Sequence, residues 1–284
     1  MSYDRPMAFD ADAFTQQARQ SWNQVAARYS DLSAGRFVPI AEAFVAFSGL
    51  APGQDVLDVA CGPGTAAFAA ARAVGKSGRV TGADLSPGML QEAGARARRQ
   101  DLTISFLESN VESLPFPDGS FDAVISQLGL MLFPRPDAAL REMARVAKPG
   151  GTVACLVQGR KEKMLATSLV MSALLKHAPE IKEEGAPNLY AFAPEGMMEK
   201  AFETARLRPE SRRVLSGTLD FPSAGDFWKT MTEASGRTGA ILRSLPPESQ
   251  RAVEDEVVAR AEKFKTPAGV GIPYEMVMAR ARKP

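Results

Sequence analysis

A short apolar run, a glycine turn and an alanine-rich stretch, in that order, most constrain how this chain can fold. Residues 56–60 predict a buried strand, residues 61–64 a tight turn, and Thr65–Val74 a helix that ends at Gly75. Glycines in such a turn let the backbone approach a ligand, and the following helix N-terminus offers free N–H groups. The sequence therefore predicts that a polar ligand binds at this turn.

The alternation of strand and helix continues beyond the turn, through residue 158. Strands that alternate with helices specify a parallel, doubly wound sheet. The predicted fold class is therefore α/β, with a Rossmann-like seven-stranded doubly wound sheet and helical insertions that cover the substrate. The six further strands are expected at 79–83, 103–107, 122–127, 152–158, 213–221 and 273–281, and the helices of the core at 87–100 and 136–147.

Composition and charge argue against a nucleic acid, a soft-ligand metal ion and a membrane span. The chain has 34 Lys and Arg against 33 Asp and Glu, a net charge of +1, which gives no cationic field for a nucleic acid. Two cysteines and one histidine cannot supply a soft-ligand metal site. Because no apolar run approaches the ~18 residues of a membrane span and no leader is evident, we expect a cytoplasmic protein without an integral membrane segment.

The glycine turn by itself leaves two cofactors open. Gly62, Gly64 and Ala67 match the G-x-G-x-x-A form of the dinucleotide fingerprint, and Asp84 lies where an acid binds ribose hydroxyls, which suits both NAD and S-adenosylmethionine. Asp58 favours the second, since a carboxylate beside the loop suits a cationic ligand tail better than a pyrophosphate. Alternatively, Asp58 caps the glycine turn and Asp84 forms an Asx-type turn.

Four ordered motifs within residues 20–160 resemble those of a known family, the class I S-adenosylmethionine-dependent methyltransferases, in particular the group around the ubiquinone/menaquinone C-methyltransferases. The four segments are residues 56–65 (VLDVACGPGT), 82–90 (GADLSPGML), 114–122 (LPFPDGSFD) and 140–151 (LREMARVAKPGG). The resemblance implies S-adenosylmethionine as the methyl donor, S-adenosylhomocysteine as product, and methylation of a small organic acceptor at carbon, oxygen or nitrogen. Two alternatives remain open: an NAD(P)-dependent oxidoreductase, and a non-catalytic S-adenosylmethionine-binding partner protein.

The resemblance also implies which residues bind the cofactor. Asp58 and the loop at 60–64 would hold the methionine end, Asp84 the ribose hydroxyls and Met89 the adenine face. Two positions depart from the family pattern: Asn110 precedes Val111 where an Asp is usual, and Ala60 replaces the first glycine. The predicted cofactor-binding residues are Trp22, Tyr29, Asp58, Ala60, Cys61, Gly62, Gly64, Asp84, Leu85, Met89, Asn110, Val111 and Gln127. Gln127 is included because it lies at the carboxyl edge of the sheet, and core packing is the alternative for Trp22 and Tyr29.

The pattern along the chain predicts one domain in three parts. Residues 1–50 form an N-terminal helical cover, residues 51–160 the cofactor-binding core, and residues 161–284 complete the sheet. Helical insertions at about 161–207 and 223–268 are expected to form a roof over the substrate. We further expect a small-molecule substrate and no metal, and a homodimer is left open.

The segment after the fourth strand, residues 127–133, is almost wholly apolar, which predicts a greasy or aromatic acceptor. Met131 and Phe133, with Phe192 from the predicted roof, are expected to form the substrate pocket wall. The catalytic residue is unknown, because methyl transfer depends mainly on alignment and desolvation and needs no strong base for many acceptors. His177 and Tyr190 are its weak candidates, and helix capping or a surface position is the alternative for His177.

Overall fold

The computed structural model describes residues 9–179 and 186–284. Their centre is one mixed sheet, whose strands form where apolar, β-branched runs alternate with helices along the chain. Its strands are β1 (Asp55–Val59), β2 (Arg79–Asp84), β3 (Ser105–Glu108), β4 (Phe121–Gln127), β5 (Ala147–Gln158), β6 (Arg208–Phe221), β7 (Lys265–Thr266) and β8 (Gly269–Arg282).

The strand order is β3-β2-β1-β4-β5-β8-β6, and β7 pairs only with β8. Strands β3, β2, β1, β4 and β5 are parallel, whereas β8 runs antiparallel to both β5 and β6. The predicted seven-stranded doubly wound sheet is confirmed, with the two-residue β7 added beside the first residues of β8. The order reverses between β1 and β4, and ligands of open α/β sheets bind at the carboxyl ends of the strands at such a point.

Helices cover the sheet on both faces. One core cluster includes buried residues of α2, α3, α6, α8 and α10, and the other includes buried residues of α5 and α7. The described helices are α1 (Ala11–Leu32), α2 (Val38–Ser48), α3 (Thr65–Val74), α4 (Pro87–Arg99), α5 (Pro136–Val146), α6 (Leu165–His177), α7 (Met197–Thr204), α8 (Ala224–Glu233), α9 (Gly236–Ser244) and α10 (Pro247–Ala261).

The C-terminal part of the chain differs in detail from the sequence prediction. Helix α7, in the stretch expected to form a roof, packs on α5, β6 and β8, and its Met198 and Phe202 are buried in the core. Helix α7 therefore belongs to the helical layer that packs against the sheet, and it does not cover a ligand. The helical segment after residue 223 is interrupted near Ser235 as well as at Pro246, and its helices α8 and α9 contact α1.

Strands β6 and β8 begin earlier than expected, at Arg208 and Gly269, because they pair with each other along nearly their whole length. The backbone hydrogen bonds between the two strands extend both strands beyond the residues whose side-chain pattern predicts a strand. None of the described helices is both long and apolar enough to cross a membrane.

Candidate functional site

A cavity opens at the carboxyl ends of β1, β2 and β4, where the order of the strands reverses. The space between its walls, including the part open to solvent, is about 1110 Å³. Helix α1 forms one wall, the glycine loop its floor, and the segment after β4 the opposite wall. The lining comprises Phe14, Thr15, Ala18, Trp22, Tyr29, Phe37, Asp58, Ala60, Cys61, Gly62, Pro63, Thr65, Ala66, Asp84, Leu85, Met89, Ser109, Asn110, Val111, Glu112, Gln127, Leu128, Gly129, Leu132, Phe133 and Pro134.

The glycine loop has the conformation that its sequence favours, with one exception. Gly62 and Gly64 have φ values of 54° and 86°, and the Gly64 N–H donates to the carbonyl of Cys61 at 3.0 Å. Ala60 also has a positive φ, 54°, where the family resemblance led us to expect a glycine. An L-residue with a side chain is strained in this region by about 1–2 kcal/mol, so the loop stores strain beside the cavity.

The carboxylate of Asp58 is the most unusual group in the cavity. The residue is 0% exposed, and neither carboxylate oxygen has a hydrogen-bond partner among the described residues. Burial, and to a lesser degree the charge of Asp84, raises the pKa of Asp58 well above its usual value, and the nearby backbone N–H of Ala67, which does not reach hydrogen-bonding geometry, opposes part of that shift. A buried carboxylate without a partner is unfavourable unless a ligand supplies one. The turn-capping alternative for Asp58 is therefore not the arrangement present.

Gln127 has the same property at the end of β4. Its side-chain Oε1 is buried without a partner among the described residues and faces the same cavity. The site thus has three acceptor oxygens without a hydrogen-bond donor, the two carboxylate oxygens of Asp58 on β1 and Oε1 of Gln127 on the neighbouring β4. A primary ammonium group carries three donors and a positive charge, so it would satisfy them.

Asp84, in contrast, has a backbone hydrogen-bond partner for each carboxylate oxygen. Its Oδ2 accepts from the Gly62 N–H at 2.8 Å, and its Oδ1 accepts from the Ser86 N–H at 2.9 Å. The Asx-type turn considered from the sequence is therefore present, together with a second bond that ties the two loops. Burial raises the pKa of Asp84, and the hydrogen bonds from Ser86 and Gly62 oppose that shift. Each oxygen retains a second lone pair for hydroxyl groups of a ligand.

Helix α1 contributes an aromatic wall. Trp22 and Tyr29 meet edge to face, with ring centroids 5.7 Å apart, and both line the cavity. Burial raises the pKa of Tyr29 to about 12, a shift that nearby Arg96 opposes and Asp84 reinforces. The Tyr29 phenol is therefore protonated at neutral pH and acts as wall rather than as base.

Polar contacts hold α1 over the cavity. The Arg135 guanidinium bridges Glu112, at 2.6 Å, and Asp12 in the first turn of α1, at 2.5 Å. Further along the helix, Asn23 Oδ1 accepts from the N–H of Gly88 at 2.7 Å. These contacts connect α1 to the loop after β3 and to the start of α4, so the helix is held at its first turn and at its middle.

Asn110 and Val111, where the sequence departs from the family pattern, lie in the cavity lining. Asn110 Oδ1 accepts from the N–H of Glu112 at 3.0 Å, and Val111 is buried. Asn110 therefore shapes the turn and retains its amide NH₂ and one lone pair for a ligand.

The segment after β4 supplies the apolar wall. Leu128, with a positive φ of 58°, and Leu132, Phe133 and Pro134 line the cavity. Met131 lies instead in the core cluster that contains α5 and α7, with 4% exposure. The short 3₁₀ turn Leu130–Leu132 accounts for the difference, because its side chains point about 120° apart rather than alternating as in a strand.

The other candidates from the C-terminal region lie outside the cavity lining. Phe192 is buried in the same core cluster as Met131. His177, near the end of α6, contacts Glu256 of α10 at 3.0 Å. The Tyr190 hydroxyl lies 3.0 Å from Thr167 Oγ1, which donates to Gln158. The structure thus assembles every implied cofactor residue along the cavity except Gly64, which packs against the ring of Phe68 just below it.

Some lining residues were not singled out as site residues from the sequence. Phe14 and Ala18 precede Trp22 at intervals of four, and this spacing could have placed them on the same wall. Phe37 and Glu112 carry no such signal, because one follows the end of α1 in a 3₁₀ turn and the other depends on Arg135.

The arrangement suits an elongated ligand with a cationic end. One region offers unpartnered acceptors, the middle offers a carboxylate tied to the glycine loop, and the remainder is aromatic and aliphatic. Such a cavity can align two molecules and exclude water between them.

Comparison with known proteins agrees with this chemistry. Residues 56–151 match the family model described as a methyltransferase domain. The chain is 48% identical over 103 residues to the ubiquinone/menaquinone biosynthesis C-methyltransferase UbiE of Nitrobacter hamburgensis. This match covers 36% of this chain and 41% of that protein. The chain is also 32% identical over 175 residues to the aklanonic acid methyltransferase DauC of Streptomyces sp. strain C5. This second match covers 59% of this chain and 80% of that protein.

The extent of these matches varies. The chain spans about half the length of the first curated relatives that it matches, with 47% of their length covered. Among solved structures, a putative methyltransferase from Bacillus halodurans C-125 superposes with a TM-score of 0.58 at 22% identity, covering 86% of this chain and 98% of that one. At that identity the likeness concerns the fold.

Proposed function

The chain belongs to the class I S-adenosylmethionine-dependent methyltransferases, and from this premise we propose that it methylates a small apolar or aromatic acceptor at carbon, oxygen or nitrogen. The observation that carries the proposal is the buried carboxylate of Asp58, which has no partner among the described residues. The α-ammonium group of the cofactor would donate to Asp58 and to Gln127 Oε1. This fit satisfies the acceptors that are otherwise orphaned.

The other end of the cofactor would meet residues of β2, α4 and the loop after β3. Asp84, already held by the Gly62 and Ser86 N–H groups, keeps lone pairs for the ribose hydroxyls. Met89 and Val111, both buried at the cavity surface, supply an apolar slot for a flat ring. The amide of Asn110 can bond the edge of that ring without a formal charge.

When bound, S-adenosylmethionine supplies an electrophilic methyl group on a sulfonium whose thioether leaves without protonation. The protein must therefore align the acceptor in line with that methyl and keep water out. Phe133, Leu132 and Leu128 form an apolar wall for the acceptor, and Trp22 and Tyr29 enclose the opposite side. The aromatic faces also favour a positive charge electrostatically, by about 0.5–2 kcal/mol.

The names of two relatives agree with a small-molecule acceptor. One is a C-methyltransferase of ubiquinone/menaquinone biosynthesis and the other an aklanonic acid methyltransferase, so both names refer to organic molecules. The apolar wall after β4 supports the same class of acceptor for this chain.

The test is a calorimetric titration of the purified protein with S-adenosylmethionine, S-adenosylhomocysteine and NADH, followed by an acceptor screen that measures release of S-adenosylhomocysteine. We expect micromolar binding of the adenosyl compounds only, and turnover with neutral aromatic or quinol acceptors. Asp58→Asn, which keeps the shape of the side chain but not its charge, is the matched variant and should lose binding. Binding of NADH alone would replace the proposal with hydride chemistry, and binding without any turnover would indicate a non-catalytic partner.

A further inference from the structure

Gly236, the first residue of α9, lies directly against Trp22. A Cβ placed on Gly236 would be 3.0 Å from Cδ2 of the indole and 3.3 Å from both Cε2 and Cε3. Cδ2 is a ring-fusion atom, flanked by the other two, so this approach is onto the face of the indole rather than its edge. The indole therefore rests on bare backbone at the α8–α9 corner.

The same indole forms part of the cavity wall. Trp22 lines the cavity, and Tyr29, its edge-to-face partner, does so beside it. Trp22 thus lies between Gly236 and the space that the cofactor would occupy. Any side chain at position 236 has to displace the ring by a few tenths of an ångström or displace α9 in the other direction.

The α8–α9 corner leaves α9 little room to retreat. A Cβ on Gly239, one turn further along α9, would lie only 2.3 Å from the carbonyl oxygen of Thr232 on α8. The two helices therefore already approach as closely as backbone permits. Arg237, next to Gly236, also lies over the ring of Phe14 on α1, with its guanidinium carbon 5.2 Å from the ring centroid. Trp22 is consequently the part that yields.

We propose that Gly236 is a positioning residue that acts through Trp22: its missing side chain sets how far the indole projects into the cofactor cavity. This inference rests on the proposed function, because it assigns a purpose to the wall of the same site. It also gives the segment after residue 223 a specific part in cofactor binding, although none of its residues is among the described lining residues.

The experiment uses the full chain with Trp228→Phe, which leaves Trp22 as the only fluorescent tryptophan of the two. In this background, Gly236→Ala should raise the Kd for S-adenosylhomocysteine about 10-fold and shift the Trp22 emission, while circular dichroism stays unchanged. The KM for S-adenosylmethionine should rise with it, and kcat should change less. Gly225→Ala, at an exposed position where the nearest atom, Ser223 Oγ, would be 3.6 Å away, is the matched control and should alter none of these.

A double-mutant cycle separates positioning from damage to the fold. In a Trp22→Ala background, Gly236→Ala should change the Kd less than 2-fold, because the ring it displaces is gone. An equal loss of affinity with and without Trp22 would overturn the inference, as would an unchanged Kd and emission in Gly236→Ala. If the parent protein bound no adenosyl compound, the proposed function would fail first, and the inference with it.

Discussion

Asp58 and Asp84 enter one cavity from adjacent parallel strands, and the charge of Asp84 adds to burial in raising the pKa of Asp58. The two carboxylates nevertheless differ in their bonding. Asp84 accepts from two backbone N–H groups, whereas Asp58 accepts from no described group. Asp84 therefore maintains the shape of the site and can also accept from a ligand, whereas both oxygens of Asp58 are available to a ligand alone.

Asp58→Asn should stabilise the ligand-free protein at neutral pH. Because the pKa of Asp58 is raised on folding, its contribution to stability is complete below the unfolded pKa of about 3.9 and is lost as pH rises through the folded pKa. Removing the charge should increase the free energy of unfolding by about 1 kcal/mol at pH 8 and by less at pH 5. Urea unfolding at both pH values measures this. Asp31→Asn, at an exposed position on α1, is the control, and an equal gain in both variants would contradict the argument.

Binding of the cofactor should depend on pH through the same group. A cationic ligand end favours the ionised form of Asp58, so binding lowers a pKa that burial had raised and releases a proton. We expect affinity for S-adenosylhomocysteine to fall as pH is lowered. Calorimetry in two buffers of different ionisation enthalpy counts the protons released. Proton uptake on binding would show that Asp58 does not face the ammonium group.

Asp84→Ala should weaken binding of S-adenosylhomocysteine by about 100-fold or more while the chain stays folded. The substitution removes both the acceptor for the ligand and the bonds that hold Gly62 and Ser86. Asp84→Asn retains one acceptor oxygen and should lose less. Calorimetry with circular dichroism distinguishes the cases, and unchanged affinity in the alanine variant would place the ribose elsewhere.

Ala60→Gly should stabilise the protein by up to about 1 kcal/mol. Ala60 has a φ of 54°, and glycine adopts that conformation without a clash of its side chain. The matched control is Ala27→Gly, on the exposed side of α1, which should destabilise by about 1 kcal/mol because glycine is a poor helix former. Chemical denaturation measures both. Destabilisation of similar size in the two variants would mean that Ala60 carries no strain.

Phe133→Ala and Met131→Ala should separate the cavity wall from the core. Phe133 lines the cavity, so its loss should raise the acceptor KM about 10-fold. Met131 is buried in the core and is not a lining residue, so its loss should reduce stability by about 2–4 kcal/mol and leave the acceptor KM unchanged. Steady-state kinetics and thermal unfolding on both variants supply the comparison. The reverse pattern would exchange their roles.

The parts of the site that depend on local chain signals could be predicted from the sequence. Asp58, the glycine loop and Asp84 follow from the end of one strand, the turn after it and the end of the next strand. The parallel order of the core followed from alternation alone. The predicted roof did not distinguish α7, a layer of the sheet, from α8 and α9, because an apolar helix face looks the same whichever surface it covers.

The features of the site that could not be predicted from the sequence depend on the local path of the backbone or on contacts between distant segments. The sequence predicted Met131 in the cavity wall, whereas the structure has Leu132 there. This difference depends on a single 3₁₀ turn after β4. Gly236 lies more than two hundred residues from Trp22 in the chain, and no periodicity links them. The role of Arg135 in joining Glu112 to Asp12 likewise arises only once three separate segments have come together.

The position of β8 bears on the order in which the chain can fold during translation. β6 joins the sheet only through β8, which follows it in sequence by nearly fifty residues and separates it from β5. A nascent chain that has not yet reached Gly269 therefore has an unpaired fourteen-residue β6, although the parallel half of the sheet and its glycine loop are already complete. The ligand-binding half can accordingly form on the ribosome while the antiparallel half still waits for its middle strand.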